Sequence, residues 1–162
     1  MAKKFPQYYE KHLYSRNRFR ILTKRLKEVL AEELNSLIRE FGMTHPPFDP
    51  MRISRVGKAK IDVCFISSAN LAFEASIESS SEGFVIRVDE RLKDPRRRKR
   101  LRASVAHELM HTFFYDTSQL PPSRLGTLAQ SRKMNQIEED VCRHLVREFL
   151  MPRPSLAKTC LL

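Results

Sequence analysis

The stretch Ser104–Asp116, "SVAHELMHTFFYD", places two histidines and a glutamate in an otherwise largely apolar segment. His107 and His111 are four residues apart, so on a helix they project from one face, one turn above the other. Two imidazoles in that arrangement can bind one metal ion, and Glu108, directly after the first, completes the pattern H-E-x-x-H. The glutamate of this pattern is not a ligand but takes a proton from the water that attacks a carbonyl group. The stretch therefore predicts a helix that forms the floor of a catalytic metal site.

The same three polar residues could instead be hydrogen-bonded groups at the edge of a core, without any chemical function. Burying such groups unpaired costs several kcal/mol. The helix is apolar around most of its circumference, through Leu101, Val105, Leu109 and Phe113. A core helix of this kind has little reason to carry two histidines and a glutamate. Metal binding explains their presence better.

A catalytic zinc site has three protein ligands and one open position, so a third ligand is needed. The residues that could supply it are His12, His45, Glu138, Glu139, Asp140 and His144. A ligand from a second helix, a few tens of residues downstream, suits a layered fold in which that helix packs against the first. Spacing alone does not choose between Glu139, Glu138 and His144.

Two segments resemble the ImmA/IrrE family of zincin-like metallopeptidases. They are "RKRLRASVAHELMHTFFYD" (98–116) and "NQIEEDVCRHLVREFLMP" (135–152), within a resemblance that covers about residues 46–152. Aligning the second segment on Pro152 puts the family's glutamate ligand at Glu139. The resemblance therefore implies a zincin-like fold with His107, His111 and Glu139 as zinc ligands and Glu108 as general base. Mn²⁺ is the alternative ion.

The chain departs from the family pattern at Met110, where the family usually has glycine, and at Arg143, where it has asparagine. Neither change removes a ligand, but we expect both to reshape the pocket. Tyr115 and His144 are candidate donors to an oxyanion, with packing as the alternative role for each. The segment "GFVIRV" (83–88) is the candidate edge strand for the substrate backbone, and a place inside the sheet is its alternative.

The remaining sequence predicts an α+β fold. A 3.6-residue apolar period predicts a long N-terminal helix that starts near Tyr8 and ends at Gly42. A short helix is predicted at 51–57, a helix opening at Asp94–Pro95, and a last helix at 134–151. Three strands are predicted at 60–66, 72–78 and 84–88. The prediction is a small mixed three-stranded sheet packed on the active-site helix and the glutamate-bearing helix, in one compact unit that comprises a basic arm (1–45) and a metallopeptidase domain (46–162).

The net charge of +11 is concentrated in two segments. Residues 1–30 and 91–104 each carry a net charge of +7, and the rest of the chain sums to −3. Such segments can attract nucleic acid or an acidic partner, and they can equally be solvated helix faces. Direct contact with nucleic acid is therefore a second hypothesis for both segments.

Nothing in the sequence approaches the roughly 18 apolar residues of a membrane span. The first 20 residues lack the apolar core of a secretory signal. Cys64, Cys142 and Cys160 are widely spaced, which indicates reduced thiols rather than a disulfide framework. We therefore expect a cytoplasmic protein with no membrane contact.

The resemblance implies a narrow-specificity regulatory peptidase. Members of the family are implicated in cleaving helix-turn-helix repressors, which switches on mobile-element or DNA-damage genes, and others accompany toxin–antitoxin modules. The expected partner is thus a DNA-binding repressor or an antitoxin-like protein. The alternative is a metal-bound module that does not cleave but docks on a repressor or on nucleic acid through its basic segments.

Overall fold

The computed structural model describes residues 16–125 and 132–152. Within them, the helices are α1 (Arg16–Glu40), α2 (Arg98–His111) and α3 (Arg132–Leu150). The strands of the larger sheet are β1 (Arg55–Val56), β2 (Ala59–Ile66), β3 (Ala75–Ser80) and β4 (Gly83–Asp89). Two further short strands, β5 (Tyr115–Asp116) and β6 (Ser123–Arg124), pair with each other. The predicted α+β class with a small mixed sheet is confirmed.

The larger sheet has four strands, one more than the sequence predicts, in the order β1-β2-β4-β3. β2 and β4 are parallel, and the two outer pairs are antiparallel. The additional strand is β1, which lies inside the segment predicted as a short helix at 51–57. That prediction is wrong beyond a single 3-10 turn at Pro50–Arg52. Gly57 turns the chain with a φ of +58°, and Val56 is buried as its strand pairs with β2.

Strand β4 lies in the middle of the sheet, so of the two interpretations of "GFVIRV" (83–88) the edge strand is wrong and the place inside the sheet is confirmed. Its neighbours are β2 on one side and β3 on the other. Phe84, Ile86 and Val88 are fully buried, as expected of a central strand covered by helices. The edge strand is β3, whose Glu78 and Ser79 are exposed, and it lies against α2.

Helix α1 packs against α3 and belongs to the same core as the sheet. Its buried side chains recur every three or four residues: Leu26, Leu30, Leu34, Leu37 and Ile38. Gly42, with a φ of +60°, ends the helix as predicted, and the Met43 N–H closes the end by donating to the Ile38 carbonyl. The predicted start near Tyr8 lies outside the described residues.

Helix α2 divides the core from the cleft in which the functional residues lie. The Asp94 carboxylate accepts the Arg96 N–H and caps a 3-10 turn at Pro95–Arg97, from which the helix continues. Val105, Ala106, Leu109 and Met110 are buried on its core side. The opposite side is open to the cleft. No helix within the described ranges is long and apolar enough to cross a membrane.

Candidate metal centre

Three potential ligands from two helices converge at one point. The Nε2 atoms of His107 and His111 on α2 lie 3.3 Å apart. The carboxylate of Glu139 on α3 lies 3.2 Å from the first Nε2 and 3.4 Å from the second. All three side chains are half-buried. The three residues therefore form a group that could hold a metal ion.

The separations fit a small divalent ion. Ligand atoms at 2.0–2.1 Å from a tetrahedral zinc ion are about 3.3–3.4 Å from one another. The two Nε2 atoms are 3.3 Å apart, and each lies near a different oxygen of Glu139: Oε2 is 3.2 Å from His107 and Oε1 is 3.4 Å from His111, which is close to that spacing. Two imidazoles and one carboxylate are also the donor set of many catalytic zinc sites, which keep a fourth position open. The residues therefore fit the predicted ion.

His111 is oriented by the neighbouring carboxylate, Glu138. Its Nδ1 lies 2.6 Å from Oε1 of Glu138, which is 5% exposed and also accepts a hydrogen bond from Arg124. Burial lowers the pKa of His111, but the hydrogen bond and charge of Glu138 outweigh burial and leave the pKa above its ordinary value. With Nδ1–H bound to Glu138, Nε2 is left for the ion. Glu138 thus lies behind His111, while the Glu139 carboxylate lies beside the Nε2 atoms of both histidines.

His107 lies in surroundings that favour its neutral form. Burial is the largest cause lowering the pKa of His107, and the charges of His111 and Arg143 act in the same direction. A neutral imidazole is the form that binds a metal ion. The first histidine of the pattern is therefore prepared for ligation.

Glu108 lines the same cleft as the two histidines and as Ile77 of β3. Its carboxylate accepts a hydrogen bond from the backbone N–H of Ile77 in β3. Burial raises the pKa of Glu108, and the negative charge of Glu139 acts in the same direction. A carboxylate with a raised pKa accepts and returns a proton more readily near neutral pH.

The free edge of β3 forms one wall of the cleft. The Asp89 N–H donates to the Glu74 carbonyl over 2.8 Å. The backbone N–H and C=O groups of Glu74 and of every second residue after it therefore point towards β4. Ala75, Ile77 and Ser79 therefore turn their N–H and C=O groups away from the sheet. The Ile77 N–H that reaches Glu108 belongs to this set.

The cleft has a volume of about 1120 Å³, with α2 as its floor, β3 on one side and α3 on the other. Tyr115 lines it and its hydroxyl lies 3.4 Å from Nη1 of Arg124, whereas His144 does not line it. Arg143 lines it, as expected for a residue that shapes the pocket. Met110 does not, because it is fully buried on the core side of α2, so its expected effect on the pocket is not found.

The remaining candidate ligands lie elsewhere. His45 is exposed and hydrogen-bonded to Thr44, and Asp140 forms an ion pair of 2.7 Å with Lys27 of α1. His12 lies outside the described residues. Cys142 is buried with its Sγ 3.7 Å from Nδ1 of His111, and burial raises the pKa of its thiol, which therefore remains a protonated core side chain.

The segment 91–104 is partly neutralised by contacts within the protein. Arg91, Arg96 and Arg100 form ion pairs with Asp89, Asp94 and Glu74, and Arg102 donates to the Phe48 carbonyl. The other +7 segment, 1–30, lies largely outside the residues whose side chains are described. Four of the eight cations at 91–104 are therefore engaged in ion pairs or hydrogen bonds within the described part of the protein.

Sequence reasoning did not identify Arg124 and Ile77 as parts of the site. Arg124 lies in the two-residue strand β6, and Ile77 contributes its backbone, so neither carries a recognisable motif. Comparison with protein families, curated proteins and solved structures finds no match for this chain. Its function is therefore inferred from the sequence pattern and the geometry of the site.

Proposed function

We propose that the protein is a metal-dependent endopeptidase in which His107, His111 and Glu139 hold a zinc ion and Glu108 is the general base. The observation that carries the proposal is the convergence of the two imidazole Nε2 atoms and the Glu139 carboxylate, at contact distances of 3.2–3.4 Å, in the cleft that Glu108 also lines. When bound, such an ion supplies Lewis acidity, which lowers the pKa of water towards about 7 and polarises a carbonyl group.

The chain's own residues orient the substrate and move the proton. An extended peptide can pair with the free N–H and C=O groups of Ala75 and Ser79 on β3, so that its backbone lies along the cleft. The Glu108 carboxylate takes the proton of the attacking water and returns it to the nitrogen of the leaving amine. The Ile77 N–H holds that carboxylate in place, and Tyr115 is a candidate donor to the developing oxyanion.

The resemblance to the ImmA/IrrE family extends the proposal to the biological role. The substrate would be a helix-turn-helix repressor or an antitoxin-like protein in the cytoplasm, and cleavage would relieve repression. A cleft with one strand edge as its wall supports selection of an extended segment of such a protein.

The test is the substitution Glu108→Gln, with Glu32→Gln on the exposed face of α1 as a matched control. Metal content is measured after loading with zinc or manganese, and cleavage is measured on a repressor-like partner recovered by co-purification. We expect Glu108→Gln to keep its metal and to lose at least about 100-fold in cleavage rate. Cleavage at the wild-type rate in this variant would refute the mechanism.

A second candidate is a module that binds nucleic acid without cleaving protein. Arg97, Arg98 and Lys99 support it, because they are exposed at the positive N-terminal end of α2 and have no ion pair with a described carboxylate. This function predicts DNA binding that weakens steeply with salt and falls when the three residues are changed to glutamine. Binding that does not respond to salt would contradict it.

A further inference from the structure

The two helices of the cleft run antiparallel, which defines one end of it beyond His107. His111 contacts Glu138, while the charge of Arg143 acts on His107, one turn earlier on α2. Closer to the start of α2, Arg102 donates to the carbonyl of Phe48, whose ring packs 5.7 Å from that of Phe149. The first turns of α2 therefore lie beside the last turns of α3.

This end of the cleft carries three arginines and one carboxylate, and hence a net charge of +2: Arg100, Arg143, Arg147 and Glu74. Arg100 is committed to Glu74, with its Nε 2.8 Å from Oε2. Arg143 is 64% exposed and its closest described carboxylate oxygen, on Glu139, is 4.0 Å away. Arg147 is exposed one turn further along and has no ion pair within the described part of the chain. Two exposed guanidinium groups on α3 therefore line the cleft: Arg147 has no ion pair with a described carboxylate, and Arg143 has only the long one to Glu139.

An exposed aromatic ring lies at the same end. Phe73 lines the cleft with 77% of its surface exposed, directly before the Glu74 that pairs with Arg100. Val146, between the two arginines of α3, adds a second apolar contact. Together with the two exposed arginines, these side chains give one partner both apolar and cationic contacts at this end of the cleft.

We infer that this end of the cleft binds a polypeptide segment in which two acidic residues, separated by one residue, adjoin a large apolar side chain. Residues i and i+2 of an extended chain are about 6.6 Å apart on one face. Arg143 and Arg147, at i and i+4 of a helix, are about 6 Å apart, so each can bind one carboxylate. Phe73 and Val146 would cover the apolar residue.

The inference rests on the proposed function, since it assigns the class of substrate segment that lies along β3 towards the metal centre. Polypeptide is favoured over nucleic acid because the opposite wall is a strand edge. At this edge, Ala75 and Ser79 offer a polypeptide ligand backbone N–H and C=O groups that can pair with an extended chain.

The experiment measures binding of fluorescein-labelled octapeptides to the zinc-loaded Glu108→Gln protein by fluorescence anisotropy. One peptide contains Glu-Ala-Glu-Leu and the other Gln-Ala-Gln-Leu in the same frame. We expect the glutamate peptide to bind about tenfold more tightly. We expect the preference to disappear in the double variant Arg143→Gln/Arg147→Gln and to persist in Lys24→Gln/Arg39→Gln, which removes two exposed charges from α1.

A second arm tests the apolar part of the inference. Phe73→Ser should weaken binding of the leucine peptide several-fold, and should leave unchanged the affinity of a peptide with serine in place of leucine. The zinc content of each variant is measured, so that a loss of peptide binding is separated from a loss of metal.

Equal affinities for the glutamate and glutamine peptides would overturn the inference, as would a preference that survives the double arginine variant. Failure of both peptides to bind at about 1 mM would also overturn it. A single-stranded octanucleotide that displaces the glutamate peptide at equal concentration would assign the arginines to phosphate instead. Wild-type protein that shows the preference but never cleaves would refute the hydrolase and leave the acidic-peptide site standing.

Discussion

The division of roles between two adjacent glutamates on α3 can be tested by the substitution Glu138→Gln. Glu138 is 5% exposed, lies 2.6 Å from Nδ1 of His111 and accepts a hydrogen bond from Arg124. Glutamine has the same shape and keeps an acceptor for the Nδ1–H of His111, but it removes the negative charge. Glu138→Ala removes both the charge and the acceptor.

The expected loss of zinc affinity follows from these contacts. Changes to groups that orient a metal-ligating histidine cost 10–100-fold in affinity, or about 1.4–2.7 kcal/mol. Hydrogen bonds with one charged partner are roughly twice as strong as neutral ones. We therefore expect a loss of about tenfold for Glu138→Gln, about 100-fold for Glu138→Ala, and more than about 100-fold for the ligand change Glu139→Gln.

The assay is a competition titration of zinc between the metal-free protein and a chromophoric chelator at pH 7.5. Asp140→Asn is the matched control, because Asp140 forms a surface ion pair with Lys27 and should change zinc affinity less than about twofold. Circular dichroism melts of the metal-free variants separate misfolding from weaker binding. An affinity of Glu138→Ala within twofold of wild type, or a larger loss in it than in Glu139→Gln, would refute the assignment of ligand and orienting residue.

Three further predictions concern the fold. Met110→Gly, which restores the residue usual in the resembled family, should lower the free energy of unfolding in urea by about 4 kcal/mol, because it empties a fully buried position in a helix. Gly57→Ala should lower the free energy of unfolding by at least about 2 kcal/mol, since its Cβ would lie 2.5 Å from a threonine hydroxyl. Gly42→Ala, at nearly the same φ but with nothing within 4 Å, should lower it by about 1 kcal/mol. Equal losses in the two variants would contradict the clash. Hydrogen bonds from Arg91 hold the pKa of Asp89 below its ordinary value, so their stabilisation is complete above the unfolded pKa of about 3.9 and is lost as the pH falls through the folded pKa. Denaturation between about pH 2 and 5 should show a weaker pH dependence in Asp89→Asn than in wild type.

The sequence predicts the helices well because their apolar periods and end signals are local. Gly42 ends α1, and Asp94 with Pro95 opens the segment that becomes α2. These signals act within one helical turn, so they survive in almost any tertiary context. The same holds for His107 and His111, since a helix fixes side chains four residues apart on one face.

The strand order is harder to predict because the period of two shows which face is buried but not which strand is the neighbour. The alternation of Phe84, Ile86 and Val88 fits an edge strand and a central strand equally well. The parallel pairing of β2 with β4 depends on the long connection between β2 and β3 and leaves β3 at the edge. Strand β1 is two residues long, which is too short for any propensity to register.

The third ligand shows the same limit at the scale of one residue. Successive residues on an α-helix point about 100° apart, so Glu138 and Glu139 cannot occupy the same position around an ion. Their spacing from His111 differs by one residue, and a small shift or rotation of α3 against α2 would decide which of the two carboxylates lies beside the ion. What separates them is burial: the side chain of Glu138 is 7% exposed and hydrogen-bonded behind the imidazole, whereas the side chain of Glu139 is 41% exposed and lines the cleft. The packing of α3 against both α1 and α2 sets that rotation, and it explains why two adjacent residues of the same type take part in one site in different ways.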